Sequence, residues 1–403
     1  MDPRTNPYSP GAGTVPQELA GRDELIEKVE IELDRCRNGL SHRGQILVGL
    51  RGVGKTVLLN KLSIDAEAKR LLAVTVETPE NRSLPALLIP ALRNALISIN
   101  IGTHASELGK KAVRLLGGFI SAMKVKYADV EFGIDLDKEA GADTGDLESD
   151  LKNLLIGIGE AAKEMQTALI LFIDEIQYIE EEQFASLIMA IHRCTQKQLP
   201  ISLIGAGLPQ IVGQAGRAKS YAERLFEYPK VGPLEKEEAF RAIVEPARKL
   251  NVEYTSDALD EIFEKTQGYP YFLQEWGKHC WKTAEKSPIT IDAVKTATEL
   301  ALTELDNSFF RVRLDRCTPF EKNYLRAMAE LGSGPHKSGD IAELMGRTSQ
   351  QVAPLRANLI SKGMIYSPAY GDNNFTVPLF DGFMKRAIAD YVKPNEGDTN
   401  TQD

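Results

Sequence analysis

The chain has 403 residues, 43% of them hydrophobic, and 57 acidic against 48 basic residues leave a formal charge of −9. That length exceeds what one hydrophobic core usually serves, so two or three packed units are expected; the acidic balance argues against a coat for nucleic acid, though a local basic surface stays open. No run of about eighteen uncharged apolar residues occurs, and Met1 to Pro16 lacks the basic start and apolar stretch of a secretory leader, which points away from membrane and export and toward the cytoplasm.

Residues 1–20 carry Pro3, Pro7, Pro10 and Pro16 and read as an extended N-terminal arm. Helical spacing begins at Gly21 and runs through Leu25, Val29, Ile31 and Leu33 until Asn38-Gly39 breaks it. Gln45 to Val48 reads as a buried strand, followed by a glycine-rich turn and the helical residues Val57, Leu58, Leu59 and Leu62. Leu72 to Val76, Ala168 to Ile173 and Ile201 to Ile204 are further short apolar runs separated by helical sequence. Strands alternating with helices predict the α/β class with a parallel sheet, here over residues 21–233. Within it, Lys124 to Asp137 alternates like a hairpin and Lys138 to Gly145 like a polar loop, so an insertion is placed at about 100–145. A helical stretch from Ala218 to Arg224 precedes Phe226-Glu227-Tyr228-Pro229.

After Pro233 the pattern is helical without strands: Glu235 to Leu250, Ser256 to Gln267, Tyr271 to Lys286, and a long run from Ile291. A helical lid over 234–316 accounts for it. The aromatics Tyr269, Tyr271, Phe272, Trp276 and Trp281 have the spacing of a packed helix face, so core is preferred to a base-stacking platform. A third unit spans 317–393, with helices at Phe320 to Leu331, Asp340 to Leu344 and Thr348 to Lys362, and the polar residues 394–403 read as a disordered tail. Cys36, Cys194, Cys280 and Cys317 form no C-x-x-C pair and the five histidines offer no zinc-ligand spacing, so buried reduced thiols are expected.

Two motifs carry chemistry. Gly49-Leu50-Arg51-Gly52-Val53-Gly54-Lys55-Thr56 matches G-x-x-x-x-G-K-[ST] between a predicted strand and a predicted helix. Its glycines permit a backbone whose N–H groups turn inward on phosphate oxygens, and the helix N-terminus adds partial positive charge. Lys55 would reach the β- and γ-phosphates, and the Thr56 hydroxyl would coordinate Mg²⁺. The second motif, Leu169-Ile170-Leu171-Phe172-Ile173-Asp174-Glu175, ends a buried strand with two carboxylates. Asp174 would hold the Mg²⁺ shell, and Glu175 is placed to orient and deprotonate the attacking water.

The order of elements resembles the AAA+ P-loop ATPases, and more narrowly the Orc1/Cdc6-like initiators and STAND-type ATPases. The resemblance rests on Gly21-Arg22-Asp23-Glu24-Leu25, both phosphate motifs, Gly268-Tyr269-Pro270 and a C-terminal winged-helix pattern. It implies ATP and Mg²⁺ as ligands, a P-loop parallel sheet with a helical lid and a winged-helix domain, Arg22 beside the adenine or ribose, and Pro270 against the base. Arg224 stands where an arginine finger could enter a neighbour's nucleotide, which implies a nucleotide-dependent homo-oligomer; a solvent-facing arginine is the alternative reading. The sequence departs from the pattern in two places: Gly205-Ala206-Gly207 follows the third strand where relatives put a polar γ-phosphate sensor, and Lys278 is the nearest cation in the lid where an arginine is expected. Slow or partner-dependent hydrolysis follows.

Thr348-Ser349-Gln350-Gln351 reads as a capping box opening a recognition helix, with Pro354 disturbing its first turns. Met364 to Tyr366 and Phe375 to Val377, joined through Tyr370-Gly371-Asp372-Asn373-Asn374, read as the wing. Gln350, Gln351, Arg356 and Lys362 are the residue types that contact duplex DNA, while winged helices also bind proteins. Three functions remain open: an ATP-driven switch, a DNA-binding regulator in which the nucleotide is structural, and a signalling or defence ATPase that assembles with ATP.

Overall fold

A computed structural model describes residues 1–11, 13–100, 107–126 and 141–389. Two compact units are present: Gly11–Gly49 with Gly54–Gly232, and Met1–Pro10 with Leu50–Val53 and Pro233–Asp403.

In chain order the first unit contains α1 (Asp23–Arg37), β1 (Gly44–Val48), α2 (Lys55–Ala68), β2 (Leu72–Glu77), α3 (Leu84–Asn100), α4 (Glu107–Lys126), α5 (Leu147–Glu164), β3 (Leu169–Asp174), α6 (Glu181–Gln196), β4 (Ile201–Gly207), α7 (Ile211–Ala218), α8 (Ala222–Leu225) and β5 (Phe226–Glu227). The five strands pair in parallel in the order β2-β3-β4-β1-β5. Every residue of β1, β3 and β4 is buried, which explains their largely apolar reading, interrupted by the buried Gln45 and Ser202: a parallel sheet is covered on both faces, so neither face calls for polar side chains. Because all strands are parallel, the ends of β1, β3 and β4 reach one edge, where ligands of such sheets bind.

β4 runs three residues past its expected end. Its pairing with β1 continues through Gly205, Ala206 and Gly207, and a Cβ on Gly205 would stand 3.0 Å from the Ile176 side chain. Small residues keep the strand in the sheet beneath the turn that follows β3. The hairpin expected at Lys124 to Asp137 is corrected at its start, since Lys124 to Lys126 form the last turn of α4; residues 127–140, the rest of that hairpin and the start of the expected polar loop, lie outside the described residues, and 141–145 form turns and bends. The helical stretch expected from Ala218 to Arg224 is two helices, because α7 ends at Ala218 and α8 starts only at Ala222.

The second unit contains α9 (Lys236–Arg248), α10 (Ser256–Thr266), α11 (Pro270–Thr283), α12 (Ile291–Leu305), a π turn (Asp306–Phe310), α13 (Arg311–Asp315), α14 (Pro319–Glu330), β6 (His336–Lys337), α15 (Ser338–Leu344), α16 (Ser349–Ser361), β7 (Ile365–Tyr366), β8 (Asp372–Phe375) and α17 (Phe380–Ala387). Residues expected as separate lid and C-terminal modules share this unit. Phe310 joins them, with its ring 5.2 Å from Phe383, 5.6 Å from Phe380 and 6.4 Å from Phe272. Tyr269, Phe272, Trp276 and Trp281 are buried, as a packed face requires, and Tyr271 is half-buried.

The arm Met1–Pro10 lies on the same unit. Tyr8 is buried, donating its hydroxyl to the Ile243 carbonyl at 2.5 Å and accepting from Tyr254 at 2.9 Å. Gly277 makes room for that ring, because a Cβ there would lie 2.6 Å from it.

The small antiparallel sheet has the order β6-β8-β7. Its second hairpin strand is Asp372–Phe375 rather than Phe375 to Val377. The shift follows from Asn373, a turn former by composition that is fully buried here, where its amide donates to Ser338 Oγ at 2.9 Å and accepts from Arg356 Nε at 2.6 Å. Pro354 does not break α16, which runs through it; the bond it forfeits would go to the carbonyl of Gln350, an exposed residue where water can substitute. All four cysteines are buried and unpaired to one another. Among the described residues no helix is long and apolar enough to cross a membrane.

Candidate functional site

The phosphate-loop sequence leaves β1 at the sheet edge. Gly49 donates its N–H to the Gly207 carbonyl at 3.1 Å, fixing the loop to the end of β4. Gly54 caps α2 at φ 91°, ψ 19°, and Gly52 has φ 81°; both conformations disfavour a side chain, which is why glycine recurs here. α2 then opens at Lys55, and the first amides of a helix have no partner within it. Lys55 is buried at 7% exposure.

Asp174 and Glu175 come to this place from β3. The Thr56 hydroxyl donates to the Asp174 carboxylate, and the Lys55 charge bears on it. Burial pushes the Asp174 carboxyl above its ordinary range, and the Thr56 bond, the Glu175 N–H at 2.8 Å and Lys55 pull it back, while the Glu175 charge pushes it up. A partly desolvated carboxylate beside a hydroxyl is a hard-oxygen donor set, and it fits Mg²⁺.

Glu175 is half-buried and holds a left-handed conformation, φ 49° and ψ 38°. For a residue with a side chain this costs on the order of 1 kcal/mol and persists only where the surroundings impose it. Thr78, just past β2, supplies that constraint: its hydroxyl donates to the carbonyls of Asp174 at 2.8 Å and Glu175 at 2.6 Å. Gln177 donates its side-chain amide to the Glu175 carboxylate and accepts the Leu208 N–H at 3.0 Å. Sequence reasoning passed over both residues; the available signals were a threonine directly after a strand and a glutamine two places beyond the acidic pair.

The other expected site residues divide as follows. Leu50, Arg51, Gly52 and Val53 cluster with the second unit, where Arg51 donates its N–H to the Thr376 carbonyl at 3.2 Å and the Gly52 carbonyl accepts from Tyr271 N–H at 3.1 Å. Pro270 is the first residue of α11, a position where its missing N–H costs nothing. Arg22, in the first unit, donates to the Gly232 carbonyl, and burial lowers its pKa. Arg224 is exposed on α8. Lys278 is committed to Glu304 at 2.5 Å and Glu275 at 3.4 Å.

On α16, Gln350 and Gln351 are exposed, and Gln351 closes the expected capping box with Thr348. Arg356 is tied to Asn373 and to Ser367 Oγ at 2.9 Å, and Lys362 to Glu321 at 2.6 Å. The exposed residues of this helix are therefore Ser349, Gln350, Gln351, Ala353, Pro354, Ala357, Asn358 and Ser361.

Residues 18–204 match the AAA ATPase domain family, and residues 307–384 match a domain of unknown function, DUF8462. No curated protein matches the chain. Among solved structures, the chain is similar to a Walker-type ATPase of Pyrococcus abyssi, with 16% identity, coverage of 91% of this chain and 96% of that one, and a TM-score of 0.53. It is also similar to the ORC2 protein of Aeropyrum pernix in its ADPNP–ADP complexes, with 16% identity, coverage of 94% and 98%, and a TM-score of 0.53. At such identities the likeness carries the fold, a parallel five-stranded sheet flanked by helices.

Proposed function

We propose that the chain, whose residues 18–204 match the AAA ATPase domain family, is an ATP-driven switch whose C-terminal module engages a protein partner. The observation that carries the catalytic half is the hydrogen bond from Thr56 to Asp174, which joins the two phosphate motifs at one sheet edge. In this reading the amides that follow Gly49, through Thr56, cradle the phosphates of ATP. Lys55 neutralises the β- and γ-phosphates, and Thr56 and Asp174 hold Mg²⁺, which when bound supplies charge stabilisation to those oxygens. Glu175 accepts the proton of the attacking water. Arg22 and Pro270 border the base, and the exposed Arg224 reaches into a second copy's nucleotide. Lys278 is held by Glu304 and Glu275 rather than offered to the γ-phosphate, which supports slow basal turnover.

The coupling half rests on Arg51. Its N–H is one of those a phosphate would claim, and it is spent on the Thr376 carbonyl. ATP and residue 376 compete for the same donor, so nucleotide binding would release the segment after β8. The order helix, short strand, two helices and a hairpin over 319–375 supports a winged-helix reading of the module. A protein partner is favoured over duplex DNA because the exposed face of α16 carries amides and small residues, while its two cations are spent on internal bonds; a DNA interface draws its affinity from free cations on phosphates.

Hydrogen exchange tests this reading. Saturating Mg²⁺-ATP is expected to speed amide exchange across residues 364–377, and duplex DNA at low salt is expected to leave α16 unchanged. Unaltered exchange at 364–377 would remove the coupling, and strong protection of α16 by DNA would restore the nucleic-acid partner.

A further inference from the structure

We propose that Gln177 is a positioning residue that aims the Glu175 carboxylate and ties it to the end of β4, an inference that rests on Glu175 acting as the general base. Where β4 reaches the sheet edge its residues are Gly205, Ala206 and Gly207, with Leu208 directly after them, so this end of the strand brings no polar side chain of its own. Gln177 supplies one from the short turn after β3. It is only 5% exposed, and both ends of its carboxamide are used.

The roles of those two ends are fixed by their partners. Leu208 N–H can only donate, so it must meet the oxygen, and that bond is 3.0 Å long. An ionised Glu175 carboxylate can only accept, so it must meet the NH₂ group. The amide is therefore a connector with one possible orientation. Gly207 leaves the space it occupies: a Cβ there would lie 2.8 Å from Gln177 Oε1 and 2.9 Å from Ile176 Cγ2. The Gly207 carbonyl in turn accepts the Gly49 N–H, and the Gln177 carbonyl accepts from Gln214 Nε2 at 3.2 Å. Gln177 thus links the base, through one strand end, to the first residue of the phosphate loop. Without the link the carboxylate loses the bond from Gln177 that sets its direction, and small misplacements of a reacting group are costly in rate.

The test uses the full chain, steady-state ATP turnover and equilibrium binding of a fluorescent ATP analogue. Gln177→Leu is expected to lower kcat by about 10- to 100-fold and to leave analogue affinity unchanged within error. Gln177→Glu keeps the volume and the acceptor for Leu208 N–H but sets a charge against Glu175, so it should lose at least as much turnover. A purely structural role predicts the opposite for this variant. In a Glu175→Gln background, adding Gln177→Leu should change nothing further, because both act on one group. Wild-type turnover by Gln177→Glu, faster turnover by Gln177→Leu, or multiplicative losses in the double variant would each overturn the proposal. Full turnover by Glu175→Gln alone would instead remove the general-base reading on which it stands, and so separates the two failures.

Discussion

Exchanging Glu175 for glutamine is expected to slow ATP turnover by about 10²- to 10⁴-fold, the range over which a positioned general base contributes, while Mg²⁺-ATP still binds. Glutamine keeps the length of the side chain and an oxygen for the Gln177 amide, so what is removed is basicity rather than shape. The effect on Asp174 has a definite sign. The Glu175 charge is one of the influences that push the Asp174 carboxyl up, so removing it lowers that pKa and keeps the proposed metal ligand ionised. Nucleotide affinity should therefore hold or rise as turnover falls. Phosphate release and equilibrium ATP binding, measured on the same preparation, check both halves of this expectation.

Lys55→Ala is expected to act on the other quantity and weaken ATP binding by about 10- to 100-fold, the order of a lost hydrogen bond to a charged group. The ammonium sits on the first turn of α2, behind two glycines in left-handed conformations, and is held away from solvent. Such a charge is costly to bury and is favourable there only with anionic company. Asp174 gives part of that company, and the phosphates of ATP would add to it. Removing Lys55 takes away one of the influences that hold the Asp174 carboxyl down, so its pKa rises further and the metal site is weakened as well. A thermal melt separates loss of affinity from loss of fold, and unchanged affinity in a folded variant would contradict the assignment.

The parts of this site legible in the sequence are those whose information is local. The phosphate loop announces itself through eight consecutive residues between a strand and a helix, and β1, β3 and β4 through short, largely apolar runs of the kind a doubly covered sheet requires. Thr78 and Gln177 were not legible, because their partners arrive through strand order: β2 lies beside β3 and β4 on its other side, and nothing near residues 78 or 177 specifies that neighbourhood. Arg356 and Lys362 erred in the same direction. Each reads as an available surface cation, yet Asn373 and Glu321 stand 17 and 41 residues away in the chain and claim them. The wing strand slipped for a related reason, since Asp372-Asn373-Asn374 has the composition of a turn until Asn373 is seen to be a buried hydrogen-bonding hub. Short-range chemistry was readable; long-range polar pairing was not.

The most direct test of the central claim, that Thr56 and Asp174 act together with the phosphate loop on Mg²⁺-ATP, is the equilibrium affinity for ATP with magnesium and after its removal by chelation. The account predicts clearly tighter binding with magnesium in the wild-type chain and little difference between the two conditions in Asp174→Asn. Equal affinities in the wild type, or a magnesium effect that survives undiminished in Asp174→Asn, would contradict it.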